Sequence, residues 1–389
     1  MTNIDKPGAD SPDARDHEAA GSGDLVGDPS TDDPGDPEQG NGSHRRTHRL
    51  RRVLLFLLGA FVFLLACAVG GVYYLTNQLG NEVDRIPGVF AGLDESQRPA
   101  KPSTGPGADA VNILLAGSDT RSAEQTTGSG AAGAEWAPGA QRSDTIMIVH
   151  IDGDRQHASL ISIPRDSWVN IPGFGMNKIN AAFSFGGPSL YVQTIEQLTG
   201  LRIDHLAVID LQGFANLTDA LGGVTVDIPQ TVTDTSTGTV WHAGVQKLNG
   251  EQALLYVRQR YGLPGGDFDR IKRQQYFLRQ LMQKTLSAGT LVNPFKFHSA
   301  LSAVANNLSV DDDFSNGEMR SLAFSLRDLR TSDVDFLTVP LEGTGTRGTA
   351  SVVLLAKKAD ASLFKAVRLD DVGTWLATHD GDTIGATVN

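Results

Sequence analysis

One cysteine in 389 residues is the first scarcity of this chain. Cys67 lies inside an apolar run, so the rest of the chain can build neither a disulfide nor a cysteine-based metal site. Aromatic residues make up only 7%, and 33 basic side chains face 45 acidic ones, for a net charge of −12. That balance argues against a general nucleic-acid surface. No internal repeat is visible. Residues 1–43 have almost no large apolar side chains and set eleven acidic residues against Lys6 and Arg15. Such a segment cannot bury enough surface to fold, and it is predicted to be a disordered acidic tail.

What is present begins just after that tail. Residues 44–52 hold five arginines, and residues 53–76 that follow are uncharged and mostly apolar. Twenty-four residues at a rise of ~1.5 Å reach about 36 Å, enough to cross a bilayer core of ~30 Å. Arginines beside a span stay cytoplasmic, so the reading is a single-pass anchor of the cell membrane with the N-terminus inside. Leu64-Leu65-Ala66-Cys67 loosely matches a lipoprotein processing site, but the apolar run continues through Val72-Tyr73-Tyr74-Leu75, which suits an uncleaved anchor better. Residues 77–108, broken by Pro87, Pro99, Pro102 and Pro106, read as an extracytoplasmic stalk. A folded domain is expected over 109–375, with a short tail over 376–389.

Within that domain apolar runs predict strands at 111–116, 144–151, 158–163, 205–210, 224–228 and 334–339. Helices are expected at 188–199, 211–221, 250–258 (capped by Asn249), from Asp269 past Leu281, at 316–330 and at 355–368. Residues 122–141, rich in Gly, Ala, Ser and Thr, read as a mobile flap. Strands interleaved with helices give an α/β layered domain.

Arginines and aspartates gather at the ends of these runs. The segments are Gly117-Ser118-Asp119-Thr120-Arg121, Arg142-Ser143-Asp144-Thr145, Ile163-Pro164-Arg165-Asp166-Ser167, Tyr256-Val257-Arg258-Gln259-Arg260 and Asp267-Phe268-Asp269-Arg270-Ile271-Lys272-Arg273-Gln274-Gln275. Any one of them could be an exposed ion pair of little energy. Together they suggest more. Side chains at strand ends converge on one edge of a sheet. Guanidinium groups grip phosphate oxygens through paired hydrogen bonds, and carboxylates hold a hard cation such as Mg²⁺. Arg270, Arg273 and Gln274 stand at i, i+3 and i+4, so they share one helix face. The combination points to a pyrophosphate site with a divalent metal. His150, His205 and His242 have no motif around them, and packing or surface roles are expected.

In their order and spacing these segments resemble the LytR-CpsA-Psr family of cell-wall ligases. The resemblance runs from about Asn112 to Gln275 and also takes in Lys178-Ile179-Asn180-Ala181-Ala182-Phe183, Leu221-Gly222-Gly223-Val224 and Leu248-Asn249-Gly250-Glu251-Gln252-Ala253. It implies a mixed central sheet flanked by helices, with an apolar lipid tunnel. The implied activity is transfer of a glycopolymer from a polyprenyl-pyrophosphate carrier to a peptidoglycan sugar hydroxyl, forming a phosphodiester. By the same resemblance Asp119 and Asp144 would hold Mg²⁺, or Mn²⁺ in its place. Arg121, Arg142, Arg165, Arg258 and Arg260 would bind the pyrophosphate. Arg270, Arg273 and Gln274 would line the head-group site, and Asp267 would orient an arginine. Asp119, Arg121, Asp144 and Arg165 form the expected catalytic set, with Asp119 as the candidate base. Some members carry a further C-terminal domain, and none is expected here. The loop Tyr261-Gly262-Leu263-Pro264-Gly265-Gly266 and the acidic tail look similar to actinobacterial members, which favours arabinogalactan or a related polymer on a decaprenyl carrier as donor, with teichoic acid and capsule left open. A lipid-binding regulator without turnover and a pyrophosphate hydrolase are the rival readings.

The basic run and the apolar run after it generate a topology test. A reporter fused after Asn389 is expected to be active only outside the cell, and one placed before His44 only inside. Release of a mature protein beginning at Cys67 would replace the anchor with a lipoprotein.

Overall fold

The computed structural model describes residues 83–120, 126–129, 131, 139, 141–285, 294–379, 383–384 and 387–388, all within the compact unit Leu65–Asn389. The expected tail, basic run and span, Arg121 and most of the expected flap lie outside these residues. Among the described residues no helix is long and apolar enough to cross a membrane.

Seven strands form one mixed sheet: β1 (Asp84–Ile86), β2 (Val111–Thr120), β3 (Gln141–Ile151), β4 (Ala158–Ser162), β7 (His205–Asp210), β12 (Ser309–Asp311) and β13 (Val334–Thr338). Their order across the sheet is β1-β12-β7-β2-β3-β4-β13. Pairing is parallel for β1/β12, β2/β7 and β4/β13, and antiparallel for β12/β7, β2/β3 and β3/β4. Short antiparallel pairs decorate it: β5 (Trp168–Ile171) with β6 (Gly175–Lys178), β8 (Val224–Ile228) with β11 (Gly244–Leu248), β9 (Val232–Thr233) with β10 (Val240–Trp241), and β14 (Leu341–Arg347) with β15 (Ala350–Leu355). The helices are α1 (Ala181–Thr199), α2 (Leu211–Ala220), α3 (Gly250–Arg258), α4 (Asp267–Thr285), α5 (Pro294–Ala305), α6 (Asn316–Ser325), α7 (Lys357–Arg368) and α8 (Val372–Leu376).

The apolar runs are continuous because both faces of the sheet are covered. Alternate residues serve alternate layers. Leu114, Ile148, Ile161 and Leu337 pack with Tyr191 and Ile195 of α1 and Leu363 and Val367 of α7. Ile151, Leu160 and Phe336 pack on the other side, against Leu278 and Met282 of α4 and Leu322 of α6. A further core joins Val224 and Leu248 to Tyr256, Phe277 and Leu281. Gln275 is fully buried and pins α4 to the sheet, its Nε2 donating to the Leu337 carbonyl at 2.8 Å and to Ser162 Oγ at 2.8 Å.

Two boundaries differ from expectation. Residues 83–108 are part of the fold, not a stalk. Asp84–Ile86 adds an edge strand, and Arg98 reaches Glu196 of α1 at 2.8 Å, with 8% and 2% of the two side chains exposed. Arg98 Nη2 also donates to the Ile203 carbonyl at 2.7 Å. At the other end, Ile384 N donates to the Phe336 carbonyl at 3.2 Å, and Val388 is buried in the core around Tyr256. Folding therefore continues past residue 375. Pro and Gly in 83–108 break regular structure without breaking contact.

Arg98→Ala strands the Glu196 carboxylate in the interior. Removing one partner of a buried pair costs roughly 3–5 kcal/mol. Urea unfolding of the variant is expected to show a loss of that order, and a change below about 1 kcal/mol would return the segment to a loosely attached stalk.

Candidate active site

The site forms where the N-terminal half of β3 meets the end of β2. Gly117 opposes Thr145 while Ser118 opposes Ser143, so Asp144 is the extra residue of a bulge. Bulges of this kind bend a strand and re-aim its side chains. Beyond the bulge, Asp119 and Arg142 are direct cross-strand partners. A Cβ on Gly117 would lie 2.8 Å from the Thr145 Cβ, so the close approach needs glycine.

Arg165 follows β4. Its loop is held by backbone bonds from Ile179 N to the Ser167 carbonyl at 2.9 Å and from Asn180 N to the Arg165 carbonyl at 3.2 Å. This places Arg165 Nη1 2.6 Å from Asp144 Oδ1. Burial pulls the Arg165 pKa down, but the carboxylates of Asp144, Asp267 and Asp166 together outweigh it and the net shift is upward. Next to this pair, Lys178 Nζ meets Asp166 at 2.8 Å. From α4, Asp267 stands between two cations, 3.2 Å from Arg260 Nε and 3.0 Å from Arg270 Nη2. Burial, and then the charge of Arg165, pull the Arg270 pKa down to about 10. That is low for a guanidinium and still far above neutral, so Arg270 stays charged while the protein alone solvates it poorly. Arg258 Nη2 approaches Asp119 Oδ1 at 4.0 Å.

Two cavities meet here. A polar one of about 790 Å³ is lined by Asp119, Arg142, Asp144, Arg165, Arg260 and Asp267 among others. A second, of about 500 Å³, shares Asp119, Asp144, Arg165 and Arg260 and adds Arg258, Arg270 and Gln274 at its polar end. Most of its remaining lining is apolar, including Leu115, Ile209, Phe214, Leu254, Leu278 and Leu281. Asp210 caps α2 through Gly213 N at 2.7 Å and accepts from Thr127 N at 3.1 Å, tying loop residues to that wall.

Arg273 differs from the expected head-group role. It lines neither cavity, is fully buried, donates to Gln259 Oε1 at 2.7 Å and lies 4.4 Å over the Tyr256 ring. It holds the turn that carries Arg258 and Arg260. Gln275, Lys178 and Asn180 belong to the segments that carry the family resemblance, but nothing in their spacing gives them roles.

The residues present suit a hard divalent cation. Asp119 and Asp144 face a shared cavity, and the Arg165 contact uses only Oδ1 of Asp144, leaving Oδ2 for another cation. Mg²⁺ takes one or two carboxylates and completes its shell with water and phosphate. The histidines lie elsewhere. Buried His150 binds Asn112 Oδ1 at 2.7 Å and Asp370 Oδ1 at 2.9 Å, His205 stacks on Phe314 and His242 is exposed.

A family model described as "LytR_cpsA_psr family" matches residues 92–367. The chain belongs to this family. Among its relatives, the "Probable cell wall biosynthesis protein LcpB" of Corynebacterium glutamicum is 37% identical over 258 residues, 66% of this chain and 61% of that protein. The chain thus spans about three-fifths of the length of that LytR_cpsA_psr relative. The "Polyisoprenyl-teichoic acid--peptidoglycan teichoic acid transferase TagU" of Oceanobacillus iheyensis is 31% identical over 311 residues, 78% of this chain and 89% of that one. Of solved structures, protein gbs0355 from Streptococcus agalactiae superposes with a TM-score of 0.57 at 26% identity, covering 67% of this chain and 88% of the other. The mixed α/β sheet is therefore the family's fold.

Arg270 is held against its solvation preference, which generates a stability test. Arg270→Met removes a charge that burial disfavours but also takes one partner from Asp267, which keeps Arg260 at 3.2 Å, so urea-unfolding stability is expected to fall by well under the roughly 3–5 kcal/mol lost when a buried carboxylate is stranded. The same variant is expected to lose most of the stabilisation that inorganic pyrophosphate gives the wild type. A stability loss of that full size, or a normal response to pyrophosphate, would refute this reading of the site.

Proposed function

We propose that this chain transfers a glycopolymer from a polyprenyl-pyrophosphate carrier to a sugar hydroxyl of peptidoglycan, outside a membrane to which it is anchored. One observation carries the reading: an apolar cavity opens onto an arginine cluster and shares Asp119, Asp144, Arg165 and Arg260 with a polar cavity. That is the shape a ligand with a greasy tail, a pyrophosphate and a sugar end requires. The transferase name of the Oceanobacillus relative supports it. Arabinogalactan is the proposed donor polymer, on the resemblance of the Tyr261–Gly266 loop and acidic tail to actinobacterial members.

In the proposed reaction the acceptor hydroxyl oxygen attacks the phosphorus next to the glycan. The new P–O bond forms as the bond to the bridging oxygen breaks, and polyprenyl phosphate leaves. In phosphoryl transfer the protein mainly positions groups and neutralises equatorial oxygens. Arg165, Arg258, Arg260 and Arg270 would do this, with Arg142 at the rim. Asp119 would accept the hydroxyl proton, and Asp267 fixes Arg260 and Arg270. Mg²⁺, or Mn²⁺, held by Asp119 and Asp144 would supply further charge neutralisation.

The direct test incubates the full-length chain with lipid-linked donor and peptidoglycan fragments, and follows products by mass spectrometry. A glycan–peptidoglycan phosphodiester together with polyprenyl phosphate is expected. Free glycan phosphate would indicate a hydrolase, and intact donor a binding-only regulator. Residue roles separate in the same assay. Arg258→Ala removes a charge-assisted contact worth roughly 1.5–3 kcal/mol, so donor affinity is expected to fall about ten- to a hundredfold. Asp119→Asn is expected to keep donor affinity within a few fold and lose Mg²⁺-stimulated transfer. Normal Mg²⁺ stimulation in that variant would dismiss the metal assignment.

A further inference from the structure

The polar cavity has a flank that the arginines do not occupy. It is built by β6 and the start of α1, which contribute Asn177, Lys178, Asn180 and Phe185 to the lining. Phe185 is 38% exposed and stacks on Phe174, with ring centroids 4.8 Å apart and 25° between planes. Phe174 is 54% exposed at the tip of the β5–β6 hairpin, and Met176 beside it is 51% exposed. The two rings come from separate elements. Gly173 and Gly175, with φ of 77° and 73°, turn the hairpin outward around Phe174. Gly186 and Gly187 break the helical conformation of α1 directly after Phe185. These glycines flank the two exposed rings, and contiguous exposed apolar groups mark interaction sites.

We propose that Phe174 and Phe185 form a stacking platform for the sugar rings of the acceptor glycan strand, with Asn177 and Asn180 bonding its hydroxyl and amide groups. This rests on the transferase reading above. The C–H face of a pyranose ring is apolar and packs flat on an aromatic face, while its rim needs donors and acceptors, and carboxamides offer both. The platform continues outward from a lining residue, Phe185, so a polymer lying on it passes the reaction centre from solvent. Lys178, the cation on this flank of the lining, is already paired with Asp166 at 2.8 Å, which suits a sugar backbone better than a polyanionic donor polymer.

The test uses the full-length chain in nanodiscs and the Phe174→Ala/Phe185→Ala double variant. Both side chains are exposed, and an unchanged melting temperature confirms that the variant folds. Binding of soluble, uncrosslinked peptidoglycan glycan strands is measured by calorimetry, and KM for acceptor and donor separately in the transfer assay. The variant is expected to lose glycan-strand affinity about tenfold and to raise acceptor KM by a similar factor. Donor KM is expected to stay within twofold, and Phe174→Tyr/Phe185→Tyr to restore most of the loss. Unchanged glycan binding overturns the platform. A shift in donor KM alone assigns the rings to the donor polymer, and loss only of binding to anionic vesicles assigns them to the membrane surface; either result overturns the proposal. Glycan binding is read without turnover, so a chain that binds strands through these rings but transfers nothing would sink the transferase reading and leave the platform standing.

Discussion

Asp144 and Arg165 meet at 2.6 Å on the seam that both cavities share, and the charges around that pair do not balance. Arg142, Arg165, Arg258, Arg260 and Arg270 gather around Asp119, Asp144 and Asp267. Like charges ~4 Å apart repel by about 4 kcal/mol at an effective dielectric of 20. Burial first, and then the like charge of Arg165, depress the pKa of Arg270, so part of that pressure falls on this residue. The fold resists it mechanically. Gln275 anchors α4 to two strand ends, Arg273 stiffens the turn that carries Arg258 and Arg260, and the loop of Arg165 is tied to the segment before α1. An anion that enters supplies the missing negative charge, so recognition and relief of repulsion become one event. Preorganised cations of this kind need no reorganisation when charge develops on a phosphate.

Much of the fold was legible because its patterns were strong. Strands over 205–210 and 224–228 and a helix over 250–258 appear at the expected bounds. Their apolar alternation and the Asn249 cap are local signals. The β5–β6 and β14–β15 hairpins were not legible. Their strands β6 and β14 are rich in glycine and polar residues, and the β5–β6 hairpin packs against α1 and β15. The three-residue strands β1 and β12 were equally invisible, since each exists only through its neighbour in the sheet. At the site, Asp119, Asp144 and Arg165 could be found because they end apolar runs. Arg273 was misplaced for a geometric reason. At ~100° per residue, positions 273 and 274 fall on opposite sides of 270, about 100° apart. The i+4 residue turns to the cavity and the i+3 residue to Tyr256. A shared face is too coarse a description when a core lies on one side and a cavity on the other.

The bulge at Asp144 also changes what a sequence comparison of this region should count. Ironing it out at constant length would set Ser143 opposite Asp119 and carry Arg142 on to Thr120. Arg142 and Asp144, two residues apart, would then share a face as any alternating strand demands. Instead the ladder slips out of phase by a single residue just where the chemistry gathers. The site is thus written partly in spacing and not only in residue identity. A homologue with every charged residue retained but one residue more or fewer between Gly117 and Asp119, or between Arg142 and Thr145, would preserve the letters of the motif and present a different surface to its ligand.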